Sequence, residues 1–527
     1  MSLIVTNLAV TYATGRGVVQ AVQDVSVEVE PGKITAIVGE SGSGKSTTAQ
    51  AIIGLLANNA QVTAGSISLD GQELTTTNSW HSIRGRRIGL VPQDPNNSLN
   101  PVKTIGQSVG EGLAIHKVGT PEERKRTVLQ WLEKVGIDDP ERRYNQYPHE
   151  LSGGMKQRAL IAAALALEPD YIIADEPTSA LDVTVQKVIL DLIDEMRAQL
   201  NIGVLLITHD LAVAGDRADH LVVMQHGQVR ESGIAAQVLN EPKDAYTLRL
   251  LADAPSLATA EVSLRPKRAG SPTLLEVTEL SQVFGDFTAV DNVSFTVARG
   301  TTHAIVGESG SGKTTTGRAI AGFSKPTSGS ILLDGTRVEA GKRELHRKIQ
   351  LVYQNPYSSL DPRRTIGATI AEPLTNFKLA SKSQAVKKVE EYLELVSLDP
   401  ALASRKPAEL SGGQRQRVAI ARALIIEPEL VVLDEAVSAL DVTVQSQILK
   451  LLAKLQDELG LTYVFISHDL AVVGQISDTV SVMSHGKQVE LGTTEEVFNN
   501  PQTDFTKQLL SAIPGRKFLD GSLNVGL

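Results

Sequence analysis

A chain of 527 residues is longer than one hydrophobic core supports, so two or more domains are expected. Its apolar share of 42% and charged share of 21% are those of a globular protein, and a net charge of −9 excludes a general attraction to nucleic acid or anionic lipid. The absence of cysteine excludes disulfides and thiolate metal sites and fits a reducing compartment. No secretory signal is recognised, and the longest apolar run, residues 159–167, is too short to span a membrane. We therefore expect any membrane contact to come through a partner protein.

The chain repeats itself once. Residues 39–46 recur as residues 307–314, and the later motifs at residues 151–154, 175–176 and 208–210 recur in the same order at 410–413, 434–435 and 467–469. A duplication of this length predicts two homologous domains rather than a solenoid of short repeats. The predicted organisation is a first domain at 1–251, an Ala-, Pro- and Ser-rich linker at 252–272, a second domain at 273–515 and a peripheral tail at 516–527.

Short apolar strands alternate with helical stretches in each half, and polar residues follow the strands. This pattern predicts an α/β fold whose mainly parallel sheet is buried on both faces, with chemistry at the strand ends. A more helical section follows the glycine loop of each half. Residues 120–123 and 381–384 there have the spacing of capping boxes, and Val386, Val389 and Leu393 are predicted to mark one apolar helix face.

Two glycine loops carry the strongest motif. Residues 39–46 and 307–314 satisfy the phosphate-loop pattern G-x-x-x-x-G-K-[ST]. Glycine lets the backbone curl so that successive N–H groups face one anion, and the next helix directs its positive end to the same place. The lysines are expected to reach the β- and γ-phosphates of ATP, and Ser46 and Thr314 to bind Mg²⁺. A merely flexible loop is the alternative, which the double occurrence between strand and helix disfavours. The residues assigned to ATP binding are Gly39, Ser41, Gly42, Ser43, Gly44, Lys45, Ser46 and Thr47, and Gly307, Ser309, Gly310, Ser311, Gly312, Lys313, Thr314 and Thr315.

An acidic pair closes a later strand of each half. Asp175 and Asp434 end apolar strands, and Glu176 and Glu435 follow them directly. Because side chains alternate along a strand, the two acids are expected to diverge and take different roles. We assign the aspartates to Mg²⁺ and the glutamates to the attacking water as general bases. A solvated acidic pair at a strand end is the alternative.

The Leu-Ser-Gly-Gly motifs at 151–154 and 410–413 each open a helical stretch. A helix start is an anion site, and the phosphate loop of the same half already holds the phosphates. We therefore expect each motif to serve the other half's nucleotide, so that one site pairs the loop of Lys45 with Ser411 and the other pairs Lys313 with Ser152. A Ser-Gly-Gly turn with serine as N-cap is the alternative. The residues assigned are Ser152, Gly153, Gly154, Ser411, Gly412 and Gly413.

These motifs together with Ser-Ala-Leu-Asp and a late histidine resemble the ATPase domain of ABC transporters, in both halves. Residues 93–101, 147–155, 354–362 and 434–441 are similar to segments of the peptide and nickel importer ATPases, so the chain looks like a fusion of two subunits usually made separately. The resemblance implies a core sheet with an antiparallel β part and a helical subdomain in each half. It also implies an ATP- and Mg²⁺-dependent importer of short peptides or a similar small solute. The partners implied are two transmembrane permease subunits and an extracellular substrate-binding protein, with the chain peripheral at the cytoplasmic face of the membrane.

The resemblance also assigns roles to four further pairs of residues. Taken singly, each has a plainer explanation as a loop glutamine, a surface histidine or a strand-core aromatic. The pairs are Gln93 and Gln354 at Mg²⁺ or the attacking water, His209 and His468 at the γ-phosphate, Asp182 and Asp441 between the two sites, and Tyr12 and Phe284 on adenine.

The sequence departs from the family pattern in two features, and three alternatives to the importer function are considered. Ala436 stands where the first half has Pro177, and the cysteines that many relatives carry for an iron–sulfur cluster are absent, so no cluster is expected. A cytosolic tandem ATPase acting on ribosomes or DNA is disfavoured by the short linker and the lack of cysteine. A non-hydrolysing sensor is disfavoured by Glu176 and Glu435. Another cargo class, such as a sugar, or an exporter stays open, since the ATPase does not touch the cargo.

Overall fold

The structure is a computed structural model that describes residues 2–15, 17–76, 79–179, 181–254, 271–438 and 440–515. The chain divides into two compact units, Met1–Ala258 with Pro514–Leu527 and Thr259–Ile513. Most of the predicted linker and the whole predicted tail lie outside the described residues, so the predicted domain limits stay a prediction.

The first unit begins with two long antiparallel strands and then alternates strands with helices. Its strands are β1 (Leu3–Thr14), β2 (Gly17–Val29), β3 (Ile34–Val38), β4 (Ala60–Leu69), β5 (Gln72–Glu73), β6 (Ile88–Val91), β7 (Tyr171–Asp175), β8 (Gly203–Thr208), β9 (His220–Gln225) and β10 (Gln228–Ile234). Its helices are α1 (Lys45–Ile52), α2 (Trp80–Ile83), α3 (Pro95–Ser98), α4 (Ile105–Ile115), α5 (Pro121–Lys134), α6 (Pro140–Tyr144), α7 (Gly153–Leu165), α8 (Val183–Leu200), α9 (Leu211–Arg217), α10 (Ala235–Asn240) and α11 (Ala245–Asp253), with a 3₁₀ turn at Pro148–Glu150.

The second unit repeats this order. Its strands are β11 (Thr273–Phe284), β12 (Phe287–Ala298), β13 (Thr302–Gly307), β14 (Ser328–Leu333), β15 (Thr336–Arg337), β16 (Ile349–Val352), β17 (Leu430–Asp434), β18 (Thr462–Ser467), β19 (Thr479–Ser484) and β20 (Lys487–Thr493). Its helices are α12 (Lys313–Ile320), α13 (Leu345–Lys348), α14 (Pro356–Ser359), α15 (Ile366–Ile370), α16 (Glu372–Asn376), α17 (Lys382–Leu395), α18 (Gly412–Leu424), α19 (Val442–Leu459), α20 (Leu470–Ile476), α21 (Thr494–Asn499) and α22 (Asp504–Ser511), with 3₁₀ turns at Pro400–Ser404 and Pro407–Glu409.

Each unit has a core sheet that is parallel apart from one edge strand. The order is β10-β9-β3-β8-β7-β6 in the first unit, and β20-β19-β13-β18-β17-β16 in the second, where only the first pair named is antiparallel. Strands β3, β8, β13 and β18 are buried throughout, as expected for continuous apolar runs covered on both faces. The phosphate loops lie at the carboxyl ends of β3 and β13, and the acidic pairs lie at those of β7 and β17, where ligands bind in open α/β sheets.

An antiparallel sheet stands beside each core sheet, in the orders β2-β1-β4-β5 and β15-β14-β11-β12. In the second unit a single parallel bridge, Asp291 with Lys487, joins this sheet to the core sheet. Leu8 of β1, Ile52 of α1 and Leu205 of β8 belong to one buried apolar cluster. The helix that carries the phosphate-loop lysine is therefore held in the same core as both sheets.

One helix in the helical section of each unit begins at its predicted capping box, but one side chain predicted to lie on the apolar face is exposed. Capping boxes start α5 and α17, with the side chains of Thr120 and Ser381 accepting from the backbone of Glu123 and Gln384. The prediction for Val386 is wrong, because its side chain is 61% exposed. Among the described residues, every helix is too short or too polar to cross a bilayer.

Candidate nucleotide-binding sites

The first glycine of each phosphate loop has a backbone that only glycine tolerates. Gly39 has φ 152° and Gly307 has φ 150°, and a Cβ on either would lie 2.1 Å from the carbonyl oxygen of Met224 or Met483. The loops therefore run against the end of β9 or β19 with no room for a side chain. Helices α1 and α12 start directly after these loops, as predicted.

The phosphate-loop lysines are buried inside the curl of their own loops. Lys45 Nζ donates to the carbonyl oxygens of Gly39 at 2.7 Å and Glu40 at 2.9 Å. In the second unit, Lys313 Nζ donates to Gly307 at 2.8 Å and Glu308 at 2.7 Å. Each ammonium group therefore belongs to the first residue of α1 or α12, where the positive end of a helix favours an anion.

One buried serine hydroxyl group in each loop indicates whether a phosphate group fits there. The Oγ atoms of Ser43 and Ser311 are buried and have no hydrogen-bond partner among the described residues. A buried polar atom without a partner carries a penalty of about 1–3 kcal/mol, so such atoms are unusual unless a ligand completes them. The orphaned hydroxyls, the lysines and the helix starts together fit the phosphates of ATP.

The predicted Mg²⁺ ligands meet in each unit. Ser46 Oγ donates to Asp175 Oδ1 at 3.1 Å, and Thr314 Oγ1 donates to Asp434 Oδ1 at 3.0 Å. Burial raises the pKa of both aspartates, and the serine or threonine hydroxyl partly opposes that rise. A hydroxyl beside a carboxylate is the oxygen donor set that Mg²⁺ takes together with phosphate oxygens, so these residues fit the ion.

Glutamine, glutamate and histidine converge beside this pair. Glu176 Oε2 accepts from Gln93 Nε2 at 2.8 Å and lies 3.2 Å from Nδ1 of His209. The second unit repeats this arrangement. There Glu435 Oε2 accepts from Gln354 Nε2 at 2.6 Å and lies 3.5 Å from Nδ1 of His468. The structure therefore brings together the three residue types assigned to catalysis.

The glutamate and histidine of each unit shift each other's pKa in the direction of the charged forms. Burial acts to raise the pKa of Glu176, but the hydrogen bond and positive charge of His209 outweigh it, and the pKa lies below its ordinary value. Burial acts to lower the pKa of His209, but Glu176 outweighs it, and this pKa lies above its ordinary value. The pKa values of Glu435 and His468 shift in the same directions for the same reasons. The contact between them therefore favours the anionic form of each glutamate and the protonated form of each histidine.

The divergence of the acidic pair has a different origin from the one predicted. Strands β7 and β17 end at Asp175 and Asp434, so alternation along a strand does not separate the two acids. Glu176 and Glu435 instead have left-handed backbones, with φ 45° and 48°, which non-glycine residues adopt rarely. Their N–H groups donate to carbonyls of β8 and β18 at 2.9 and 3.0 Å, which holds the strained turn in place.

The serines of the Leu-Ser-Gly-Gly motifs cap helices. Ser152 Oγ accepts from the backbone of Met155, and Ser411 forms a capping box with Gln414 at the start of α18. A Cβ on the second glycine of either motif would lie 2.7 or 2.5 Å from a valine of α8 or α19, so glycine allows close helix packing. The N-cap alternative is therefore present, and service to the other half's nucleotide stays a prediction.

The remaining predicted residues lie in separate settings. Asp182 and Asp441 cap α8 and α19, each accepting from a backbone N–H at 3.0 Å. Tyr12 is partly buried, with its hydroxyl 3.4 Å from Thr47 Oγ1 at the phosphate-loop helix. Phe284 is 55% exposed at the end of β11. Tyr12 thus lies close to its phosphate loop, and the role of both aromatics on adenine stays a prediction.

One residue of the first site gives no local sequence signal. Tyr246, on α11, contacts the phosphate loop through its hydroxyl. No motif surrounds it, and only alignment of the two halves, which places Phe505 at the matching position, could have singled it out.

Two phosphate loops, each beside a Mg²⁺-type donor pair and a glutamate with glutamine and histidine partners, define a tandem phosphate-loop ATPase. The profile of the ABC transporter family matches residues 22–179 and 290–438. The chain therefore belongs to the ABC transporter family. It contains two ABC ATPase domains of the predicted α/β fold and couples ATP hydrolysis to transport.

Its curated relatives match almost the whole chain. The glutathione import ATP-binding protein GsiA of Salmonella choleraesuis is 41% identical, over 97% of this chain and 89% of that protein. The oligopeptide transport ATP-binding protein OppD of Mycobacterium bovis is 41% identical over 97% and 98%, and the peptidoglycan transport ATP-binding protein YejF of Agrobacterium fabrum is 43% identical over 97% and 96%. Among solved structures, CbiO1 from Clostridium perfringens, part of an ABC transporter complex, is 32% identical over 43% of this chain and 91% of its own, with a TM-score of 0.41.

Proposed function

We propose that this chain is the ATPase of a membrane importer for short peptides or a similar small solute. The observation that carries the catalytic part is the complete set of glutamine, glutamate and histidine contacts beside the phosphate loop of both units. The cargo class is supported by the relatives, whose names specify glutathione, oligopeptides and peptidoglycan. These cargoes share peptide chemistry.

The residues of each unit divide the work of hydrolysis. Glu176 accepts a proton from the water that attacks the γ-phosphorus, the bond from that phosphorus to the β–γ bridging oxygen breaks, and ADP leaves with the electron pair. Lys45 binds the β- and γ-phosphates, and His209 contacts the γ-phosphate. Bound Mg²⁺ would neutralise charge on the phosphates, held by Ser46, Asp175 and Gln93 in the first unit and by Thr314, Asp434 and Gln354 in the second.

The contacts of the proposed base imply a rearrangement when ATP binds. Glu176 is hydrogen-bonded to Gln93 and paired with His209. The roles proposed for His209 at the γ-phosphate and for Gln93 at Mg²⁺ or the water require both side chains to leave Glu176 when ATP binds. Binding of ATP is expected to draw His209 and Gln93 toward the phosphate, and this frees the carboxylate for the water. Glu435 is expected to follow the same course with its own partners.

The remaining parts of the transporter lie outside this chain. The proposal includes two transmembrane permease subunits, an extracellular substrate-binding protein and a position at the cytoplasmic face of the membrane. Nucleic acid is not a partner, and without cysteine the chain has no thiolates for an iron–sulfur cluster.

Uptake in cells tests the proposal. A strain that lacks this chain would be supplied with labelled di- and tripeptides, glutathione and a labelled sugar, and complemented with the wild type or with the Glu176→Gln/Glu435→Gln variant. We expect the wild type to restore uptake of at least one peptide, and the variant to restore none. Restoration of sugar uptake alone, or peptide uptake that needs neither form, would contradict the proposed cargo.

A further inference from the structure

The last described helix of the first unit contacts the phosphate loop. Asp244 caps α11, which places Tyr246 in its first turn with only 4% of its surface exposed. The Tyr246 hydroxyl accepts a hydrogen bond from the backbone N–H of Glu40 at 3.1 Å. Glu40 follows Gly39, the residue whose unusual backbone turns the chain into the loop.

Glu40 also contacts Lys45, the lysine of the first phosphate loop. The carbonyl oxygen of Glu40 accepts from Lys45 Nζ at 2.9 Å, while its N–H donates to Tyr246. The Glu40 N–H shares one planar peptide group with the carbonyl oxygen of Gly39, which also accepts from Lys45 Nζ, at 2.7 Å. A hydrogen bond at the N–H therefore limits the direction of that carbonyl, and the hydroxyl acts on the lysine through one peptide group.

The second unit has the same framework without the hydroxyl. Glu231 accepts from the backbone of Lys243 and Asp244 ahead of α11, and Glu490 accepts from Gln502 and Thr503 ahead of α22. These matching caps place Phe505 at the position of Tyr246. A phenylalanine cannot accept the loop N–H, although the second lysine keeps its own carbonyl partners.

We propose that Tyr246 is a positioning residue that orders the first phosphate loop for ATP binding. This inference rests on the proposed function, because it assumes that both loops bind ATP. Removing the hydroxyl is expected to weaken ATP binding at the first loop and to leave turnover at saturating ATP unchanged.

Site-resolved labelling of the full chain tests the inference. The chain would be photolabelled with 8-azido-ATP and Mg²⁺ at rising concentrations, and the labelled peptides of the two loops would be quantified separately. We expect Tyr246→Phe to raise the half-saturating concentration at the first loop about five-fold, the effect of losing one hydrogen bond of ~1 kcal/mol, with no change at the second loop. Phosphate release should show a higher KM and an unchanged kcat.

Hydrogen–deuterium exchange without nucleotide gives a second measurement. The loop peptide that contains Glu40 should exchange faster in Tyr246→Phe, while the loop peptide of the second unit keeps its rate. Tyr171→Phe is the matched control, because it removes a hydroxyl of the same unit that contacts Asp70 rather than the loop. The control is expected to leave both loops at wild-type affinity.

Three outcomes would overturn the inference. They are an unchanged first-loop affinity in Tyr246→Phe, an equal loss at both loops, and the same loss in the Tyr171→Phe control. Wild-type chain that is labelled at neither loop would instead contradict the proposed function, and the inference would fall with it. If the wild type is labelled at both loops and Tyr246→Phe is labelled equally well, only the inference is contradicted.

Discussion

At the scale of single residues, specific partners hold the charged groups of each site. The glutamate carboxylate contacts a histidine ring and a glutamine amide, and the lysine ammonium is held by two loop carbonyls. Both units have this arrangement, although Ala436 replaces Pro177 after the glutamate.

Replacing the glutamates tests whether both sites hydrolyse ATP. Glu→Gln keeps the shape and removes the base, which typically contributes about 10²–10⁴-fold to the rate. We expect Glu176→Gln and Glu435→Gln each to lose turnover at their own site, and the double variant to bind ATP with almost no phosphate release. If Glu435→Gln alone kept the wild-type rate while Glu176→Gln abolished it, the second site would only hold nucleotide.

Replacing the lysines tests the assignment of the phosphate loops. Lys45→Ala and Lys313→Ala remove the ammonium group buried in each loop, and charged hydrogen bonds contribute about 1.5–3 kcal/mol. We expect roughly 10- to 100-fold weaker binding at the altered loop, measured by titration with a fluorescent ATP analogue. Lys33→Ala is the control, since its exposed ammonium pairs with Asp219 outside the loop. Wild-type binding in both loop variants would refute the assignment.

At the scale of elements, strand β13 differs from its counterpart β3 in one titratable side chain. His303 is fully buried on β13, stacked on Phe295, with Thr479 and Ser481 hydroxyls at its two ring nitrogens. Burial lowers the pKa of His303 to about 3. The first unit has Thr35 at this position, so the core of the second unit alone contains this histidine.

This difference predicts acid sensitivity of the second unit. The folded pKa of about 3 lies below the ordinary 6.5, so unfolded chain binds the proton first as pH falls below 6.5. The stability due to neutral His303 is therefore complete above pH 6.5 and is lost toward pH 3, at up to ~1.4 kcal/mol per pH unit. Pulse proteolysis followed by peptide mapping would measure the stability of each unit against pH.

The matched variant is His303→Thr, which installs the residue of the first unit. We expect a lower stability at neutral pH, because the smaller side chain leaves a cavity, and a shallower fall of second-unit stability between pH 6.5 and 4. The pH slope is the diagnostic quantity. Equal slopes in the wild type and His303→Thr would show that His303 does not govern the acid response.

At the scale of the whole molecule, the duplication supplies two sets of the residues assigned to catalysis in one chain. The sequence predicts that each Leu-Ser-Gly-Gly motif serves the nucleotide of the other half. Ser411→Arg should then weaken labelling by azido-ATP at the loop of Lys45, and Ser152→Arg should weaken labelling at the loop of Lys313. Each variant is the control for the other. Loss confined to the loop of the altered half would contradict the shared arrangement.

The sequence by itself determined the features that depend on neighbours in the chain. The two phosphate loops, the start of α1 and α12 and the capping boxes of α5 and α17 follow from local spacing. Glycine conformations and caps involve atoms a few residues apart, so their patterns are readable without a fold. The family resemblance of the motifs also supplied the glutamine and histidine, which spacing alone does not connect to the glutamate.

Only the tertiary structure decided how distant residues meet and in which state. The contact of Glu176 with His209, their opposed pKa shifts and the hydroxyl of Tyr246 on the loop all join separate segments of the chain. Strand order and burial set such contacts, and local patterns do not contain either. The same reason explains two differences from prediction: Val386 lies on the exposed side of its helix, and a left-handed turn rather than strand alternation separates Glu176 from Asp175.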